Sequence, residues 1–205
     1  GDLTAGVGYP AGSSSYSHGF VNSGINTTVG EFGSNVINKF SFSADGNATD
    51  HGDLTTANYG AAGSSSNTHG YTSGGHTTPG GSPTNLNRIE KYSFAVSATS
   101  VDHGDLTITS QAYGLSSSTH GFAINNTMID KFAFSSNVTA VDIGDLSVTR
   151  FLVSGASSTT HGYGVGGRSP YTDTIDKFSF SQTSGTAADH GNLTVARAGV
   201  AATQY

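Results

Sequence analysis

Ile175-Asp176-Lys177-Phe178-Ser179-Phe180 carries a period-two alternation. Phe178 and Phe180 share a face, which is the pattern of a half-buried β-strand. The same Ile-x-Lys-aromatic stretch stands at Ile37 to Phe40, Ile89 to Tyr92 and Ile129 to Phe132. Before each copy comes His-Gly-aromatic: His18-Gly19-Phe20, His69-Gly70-Tyr71, His120-Gly121-Phe122 and His161-Gly162-Tyr163. Gly-Asp-Leu-Thr opens the chain at 1–4, returns at 52–55 and 104–107, and recurs as Gly-Asp-Leu-Ser at 144–147 and Gly-Asn-Leu-Thr at 191–194. The spacings are 51, 52, 40 and 47 residues. Three markers in constant order define an internal repeat.

Each unit reads as four short strands. The first follows Gly-Asp-Leu-Thr and ends in a Ser-rich turn such as Gly63-Ser64-Ser65-Ser66. The second carries His-Gly-aromatic, the third Ile-x-Lys-aromatic, and the fourth runs into Asp-x-Gly-Asp-Leu. No stretch has a 3.6-residue amphipathic period. An all-β chain of four-stranded units with Gly/Ser turns fits a β-propeller of about four blades. A β-solenoid is the alternative, with coils that are usually shorter. One unit cannot bury its aromatic face alone, so units must stack. The expected organisation is one repeat domain over 1–205, with units at about 1–51, 52–103, 104–143 and 144–190 and a partial unit at 191–205. The first marker occurs five times and the others four. The spare copy is degenerate, pairs with a neighbouring subunit, or belongs to a longer array. An unpaired edge strand is a docking site for another chain.

Composition narrows the class. Cys and Trp are absent and Gly occurs 29 times. Disulfides and thiolate metal sites are thereby excluded. Charged residues make up 11% and the net charge is −6, with no basic stripe of the kind nucleic acid requires. No apolar run is long enough to span a membrane as a helix. Low charge with abundant Gly, Ser and Thr suits a virion or extracellular protein.

The units resemble the kelch repeat. Tyr71-Thr72-Ser73-Gly74-Gly75 followed by Ile89-Glu90-Lys91-Tyr92 matches the kelch layout, as do Gly166-Gly167 and Ile175 to Phe178. The usual Trp is missing, and units one and three lack the Gly-Gly pair. The Thr-His-Gly-Tyr, Ile-Asp-Lys-Phe and Asp-x-Gly-Asp-Leu wording looks like the kelch-like repeats of tailed phages. That resemblance implies a virion or tail-associated structural protein.

Several recurring residues are candidates for chemistry. Lys39, Lys91, Lys131 and Lys177 hold one repeat position, and Asp50, Asp102, Asp142 and Asp189 follow ten or eleven residues after the next aromatic. They are expected to form Lys–Asp pairs or Asp-capped turns that fix blade geometry. Four equivalent carboxylates do not supply the asymmetric pair that acid–base catalysis needs. His18, His69, His120 and His161 are symmetry-equivalent. His51, His103 and His190 form a second set, broken by Ile143. A metal would need three or four ligands on one ion, and repeat positions on separate blades favour hydrogen-bonded strand residues instead. Asp45 to Asp50 resembles a Ca²⁺ loop faintly, and no other unit preserves it. Ser100-Val101-Asp102-His103-Gly104 resembles the sialidase Asp-box turn without its aromatic, and only Arg88, Arg150, Arg168 and Arg197 are available for an Arg cluster. No catalytic residue, metal or cofactor is assigned.

One loop class varies. From the aromatic of His-Gly-aromatic to the Ile of the next strand, the separations are 17, 18, 7 and 12 residues. The step from the next aromatic to Asp is 10, 10, 10 and 11. Loops of one class emerge on one propeller face, and variable loops on a rigid scaffold carry binding. The segments 21–36, 72–88, 123–128 and 164–174 supply Phe32, His76, Arg88, Arg168 and Tyr171 as partner-binding candidates. Aromatic rings beside Arg and Asn suit carbohydrate, and the same loops suit subunit contact. The expected function is a non-enzymatic structural or adhesion module on a phage particle. Its partners are other virion or filament subunits or a cell-surface glycan. The alternative is a secreted microbial lectin-like or filament-forming protein. A glycan-cleaving enzyme ranks last, since the loops offer only Glu31 and Asp173 as acids.

Overall fold

The computed structural model describes residues 1–26, 33–78 and 82–199, and these contain strands and no helix. Four antiparallel four-stranded sheets follow one another along the chain. Blade 1 comprises β1 (Ala11–Ser14), β2 (His18–Asn22), β3 (Ser34–Ser41) and β4 (Thr49–Asn58). Blade 2 comprises β5 (Ala62–Ser65), β6 (His69–Ser73), β9 (Arg88–Ser93) and β10 (Val101–Asp105), with a small hairpin, β7 (His76–Thr77) and β8 (Thr84–Asn85), between its second and third strands. Blade 3 is β11 (Tyr113–Ser116), β12 (His120–Asn125), β13 (Met128–Ala133) and β14 (Val141–Asp145). Blade 4 is β15 (Ser154–Ser157), β16 (His161–Val165), β17 (Thr174–Ser179) and β18 (Ala188–Asn192).

The sequence markers have local causes. In every blade the Gly of His-Gly-aromatic lies opposite the aromatic of the third strand: Gly19 and Phe40, Gly70 and Tyr92, Gly121 and Phe132, Gly162 and Phe178. A methyl on any of these glycines would overlap that ring. The ring therefore lies across the neighbouring strand, and a side chain at the Gly position would expel it. The Asp-x-Gly turn is equally determined. Asp50, Asp102, Asp142 and Asp189 each accept the N–H of the Gly two residues on, at 2.8–2.9 Å. Those glycines have φ between +113° and +132°, a region that side chains disfavour.

The innermost strands β1, β5, β11 and β15 pack in succession around an axis. Contact is backbone on backbone: a methyl on Gly63 would overlap the Gly12 carbonyl, one on Gly114 the Gly63 carbonyl, and one on Gly155 the Gly114 carbonyl. Among the described residues β15 and β1 form no comparable pair, so the arc is open between blades 4 and 1.

Three apolar layers fill the spaces between consecutive blades. Phe20, Ile37 and Leu54 of blade 1 meet Tyr92 and Phe94 of blade 2. Tyr71, Ile89 and Leu106 of blade 2 meet Phe132 and Phe134 of blade 3. Phe122, Ile129 and Leu146 of blade 3 meet Phe178 and Phe180 of blade 4. In each layer the second ring of the following blade stacks on the ring of His-Gly-aromatic, with centroids 4.6, 4.5 and 4.8 Å apart. Among the described residues Phe40 and Phe42 join no such layer, and Phe42 is 56% exposed.

A clasp crosses each layer. The residue before the strand-three Lys accepts the N–H of the Thr or Ser in the preceding Gly-Asp-Leu-Thr: Thr55 to Glu90 at 2.7 Å, Thr107 to Asp130 at 2.8 Å, Ser147 to Asp176 at 3.1 Å. The carbonyls of Asp53, Asp105 and Asp145 accept N–H groups of Ser100, Ala140 and Ala187 in the next blade. Gly-Asp-Leu-Thr thus closes the outer strand of one blade and is gripped by the following one. The sheets are shifted in phase from units that begin at this marker.

Candidate functional site

The connections between strands two and three emerge with the blade-to-blade connections at one end of the arc. In blades 2 and 4 these two kinds of connection pair through an isolated bridge, Tyr59 with His76 and Phe151 with Arg168, and in blade 1 Ile25 pairs likewise with Gly8 of the segment before β1. His76 and Arg168 therefore hold equivalent places in blades 2 and 4. The His76 ring lies 5.3 Å from the Tyr59 ring, and its Nδ1 is 2.7 Å from Asn85 Oδ1. Arg168 is exposed, as is Tyr171, at 67%. Blade 3 closes this connection with a tight turn, where Asn126 has φ +54°.

Arg88 stands at the start of β9, with its Nε 4.0 Å from Glu90 Oε1. It leans on the clasp residue Glu90. Phe32 lies outside the described residues.

A cavity of about 360 Å³ runs between the inner strands. Its wall is mostly backbone, from Gly12, Gly63, Gly114 and Gly155, with Tyr113 as its one ring. Burial pushes the Tyr113 hydroxyl up to about 12, outweighing the lowering effects of the Leu152 backbone and the Arg168 charge. At the other end of the arc, Ser14, Ser65, Ser66, Ser116, Ser117 and Ser158 surround a second hollow of about 320 Å³.

The recurring polar residues are spent on the scaffold. The Nδ1 atoms of His18, His69, His120 and His161 each lie 2.8 Å from the hydroxyl of the preceding Ser or Thr. The backbone N–H of each of these histidines also donates to a turn serine hydroxyl. His51 and His103 are buried, with Nε2 2.8 and 2.9 Å from the carbonyls of Ser93 and Ala133 across the blade interface. Desolvation lowers the pKa of His103 despite that carbonyl, and it lowers His69 and His120 as well. No group of three or more potential metal ligands occurs among the described residues.

Lys131 Nζ donates to the Phe180 carbonyl at 2.6 Å, while Lys39 and Lys91 lie over the Phe20 and Tyr71 rings. Each of these lysines serves a blade or an interface, and the ion pairs among the described residues involve Arg alone. Asp130 is raised above the usual carboxylate range by burial, which outweighs its bonds from Thr107.

Arg150 is the largest fully buried side chain. It pairs with Asp176 at 2.8 Å and donates to the carbonyls of Gly166 and Gly164 at 2.7 and 3.1 Å. A buried, fully engaged guanidinium offers nothing to a ligand. It ties the blade 3 to blade 4 connection to the strand-two loop that carries Arg168.

These features define a β-propeller protein built of four-stranded blades. No family model matches the sequence, and no curated relative does. Many solved structures share the fold. One, described as the structure of YjhT, is 9% identical with a TM-score of 0.77, over 95% of this chain and 68% of that one. At that identity the likeness concerns the fold alone.

Proposed function

We propose that this chain is a non-enzymatic contact module of a virion, tail or other extracellular assembly, working through its loop face. The carrying observation is where the blades differ. Scaffold positions repeat with the same partners from blade to blade, whereas the strand-two-to-three connections hold a hairpin in blade 2, a tight turn in blade 3 and an Arg168–Tyr171 loop in blade 4. Recurrent Asp and His side chains are committed to turns and interfaces, which leaves the loop face with exposed rings and hydrogen-bonding groups suited to a surface glycan.

A glycan array tests this reading. The expected result is binding that falls at least about tenfold, or about 1.4 kcal/mol, in Tyr171→Ala and Arg168→Ala. Binding untouched by both substitutions would place recognition elsewhere. Cleavage of a bound glycan would refute the non-enzymatic reading.

A further inference from the structure

Blade 4 presents Tyr163, Ile175 and Leu193 where blade 3 presents Phe122, Ile129 and Leu146. In blade 3 that surface is fully covered, and in blade 4 all three residues remain partly exposed. Blade 1 presents Phe40 and Phe42 where blade 4 presents Phe178 and Phe180. The two open faces are therefore the two halves of an interface that the molecule already makes three times.

The donor groups match as well. His51 and His103 reach the carbonyls of Ser93 and Ala133 in the following blade. His190 holds the same place in blade 4 and is exposed, and Ser41 is the blade 1 counterpart of Ser93. A methyl on Gly52, Gly104 or Gly144 would overlap a carbonyl of the next blade, while the space over Gly191 is empty.

The spare marker completes the argument. Gly1–Thr4 sits on blade 1 as the preceding outer strand sits on every other blade. The N–H of Thr4 donates to Asn38 Oδ1 at 3.0 Å, and the Asp2 carbonyl accepts the N–H of Ala48 at 2.8 Å. Among the described residues its counterpart, Gly191–Thr194, has no such partners in another blade.

We infer that blade 4 of one copy docks on blade 1 of a second copy, head to tail, with Gly191–Thr194 replacing the second copy's own Gly1–Thr4. The clasp bonds lost are remade, so the exchange is driven by burying Phe40 and Phe42 against Tyr163, Ile175 and Leu193. The contact is heterologous, which leaves a free face at each end of a dimer. It uses the blade faces and not the loop face, so it stands or falls separately from glycan binding.

Sedimentation velocity across a concentration series tests it, with far-UV circular dichroism to confirm that each variant folds. Phe42→Asp disables the blade 1 face and Tyr163→Asp the blade 4 face, and both side chains are at least partly exposed in the single copy. The wild type is expected to form dimers and larger species. Each variant alone is expected to be monomeric, and an equimolar mixture to give 1:1 dimers and nothing larger. Deleting residues 1–4 vacates the clasp and is expected to lower Kd on the order of tenfold. A wild type and a deletion variant that both stay monomeric overturn the proposal. So do single variants that still dimerise, or a deletion that leaves Kd unchanged.

Discussion

Phe134 and Phe42 occupy the same repeat position, which makes one substitution at two places a test of what holds the arc together. Phe134 is 8% exposed and stacks on Tyr71 with centroids 4.5 Å apart and planes 19° apart. Phe42 is 56% exposed and has only the Phe40 ring, edge-on at 5.8 Å. Removing a buried Phe side chain costs about 3–5 kcal/mol, from lost transfer and the cavity left behind. Tyr71 cannot refill the space, since its ring is fixed by Phe132 and His103 on other sides. Phe134→Ala is therefore expected to lose about 3–4 kcal/mol. Phe42→Ala leaves no cavity and is expected to cost less than about 1 kcal/mol. Urea unfolding at high dilution, where copies are apart, reads both. A small loss at Phe134 would refute the view that the layers between blades carry the stability. Equal large losses would mean that blade 1 is covered within a single copy.

Tyr92→Phe removes the acceptor of the Asn22 side-chain N–H at 2.9 Å and a bond with Ser13, in a buried layer. A loss of about 1–2 kcal/mol in urea unfolding is expected, although every other blade carries Phe there. Arg150→Met strands the Asp176 carboxylate in a site with no solvent and is expected to cost about 3–5 kcal/mol, whereas Arg168→Met is expected to leave the midpoint unchanged. Burial holds the pKa values of His69, His103 and His120 below the ordinary 6.5. The unfolded chain then binds more protons, so Tm is expected to fall as pH drops below that value. The raised pKa of Asp130 acts in the opposite sense, favouring the folded state at still lower pH. His103→Ile, which copies Ile143 of the next blade, is expected to flatten the acid slope between pH 7 and 5, and an unchanged slope would remove His103 from the cause.

Much of the scaffold was legible because it repeats. Period two in Ile-x-Lys-aromatic-x-aromatic gave the third strand and the face its rings share. The step of ten residues from that ring to Asp in three units, and eleven in the fourth, foretold that the third and fourth strands are joined similarly from blade to blade. Strand register explains the rest of the pattern: His-Gly-aromatic needs Gly because a ring from the next strand lies over it. The clasp was hidden because its acceptors, Asn38, Glu90, Asp130 and Asp176, differ in side chain while sharing one position. Arg150 gave no signal for a related reason. It occurs in one unit only, and an unrepeated Arg in a loop reads as exposed until the Gly164 and Gly166 carbonyls are seen around it. At the loop face His76 and Arg168 could be picked from the variable segments. Their partners, Tyr59 and Phe151, lie in the connections between blades, which sequence spacing does not bring together.

Five copies of one marker against four of the others follow from the phase of the blades. Each Gly-Asp-Leu-Thr belongs covalently to one blade and by hydrogen bonds to the next. A row of four blades therefore has four grips and five strand ends to fill them. In this chain Gly1–Thr4 fills the grip of blade 1, which leaves Gly191–Thr194 over. Closing a ring, lengthening the row or joining two copies all require the same event at Asn38 and Ala48: the first marker leaves and the last one, or another like it, enters. The two markers differ only at Asp2 and Asn192, whose backbone and not side chain is what the grip holds, so the sequence offers the site two nearly equivalent occupants. The choice between them is then set by the apolar side chains behind the marker, Tyr163 and Ile175, which Gly1–Thr4 does not bring.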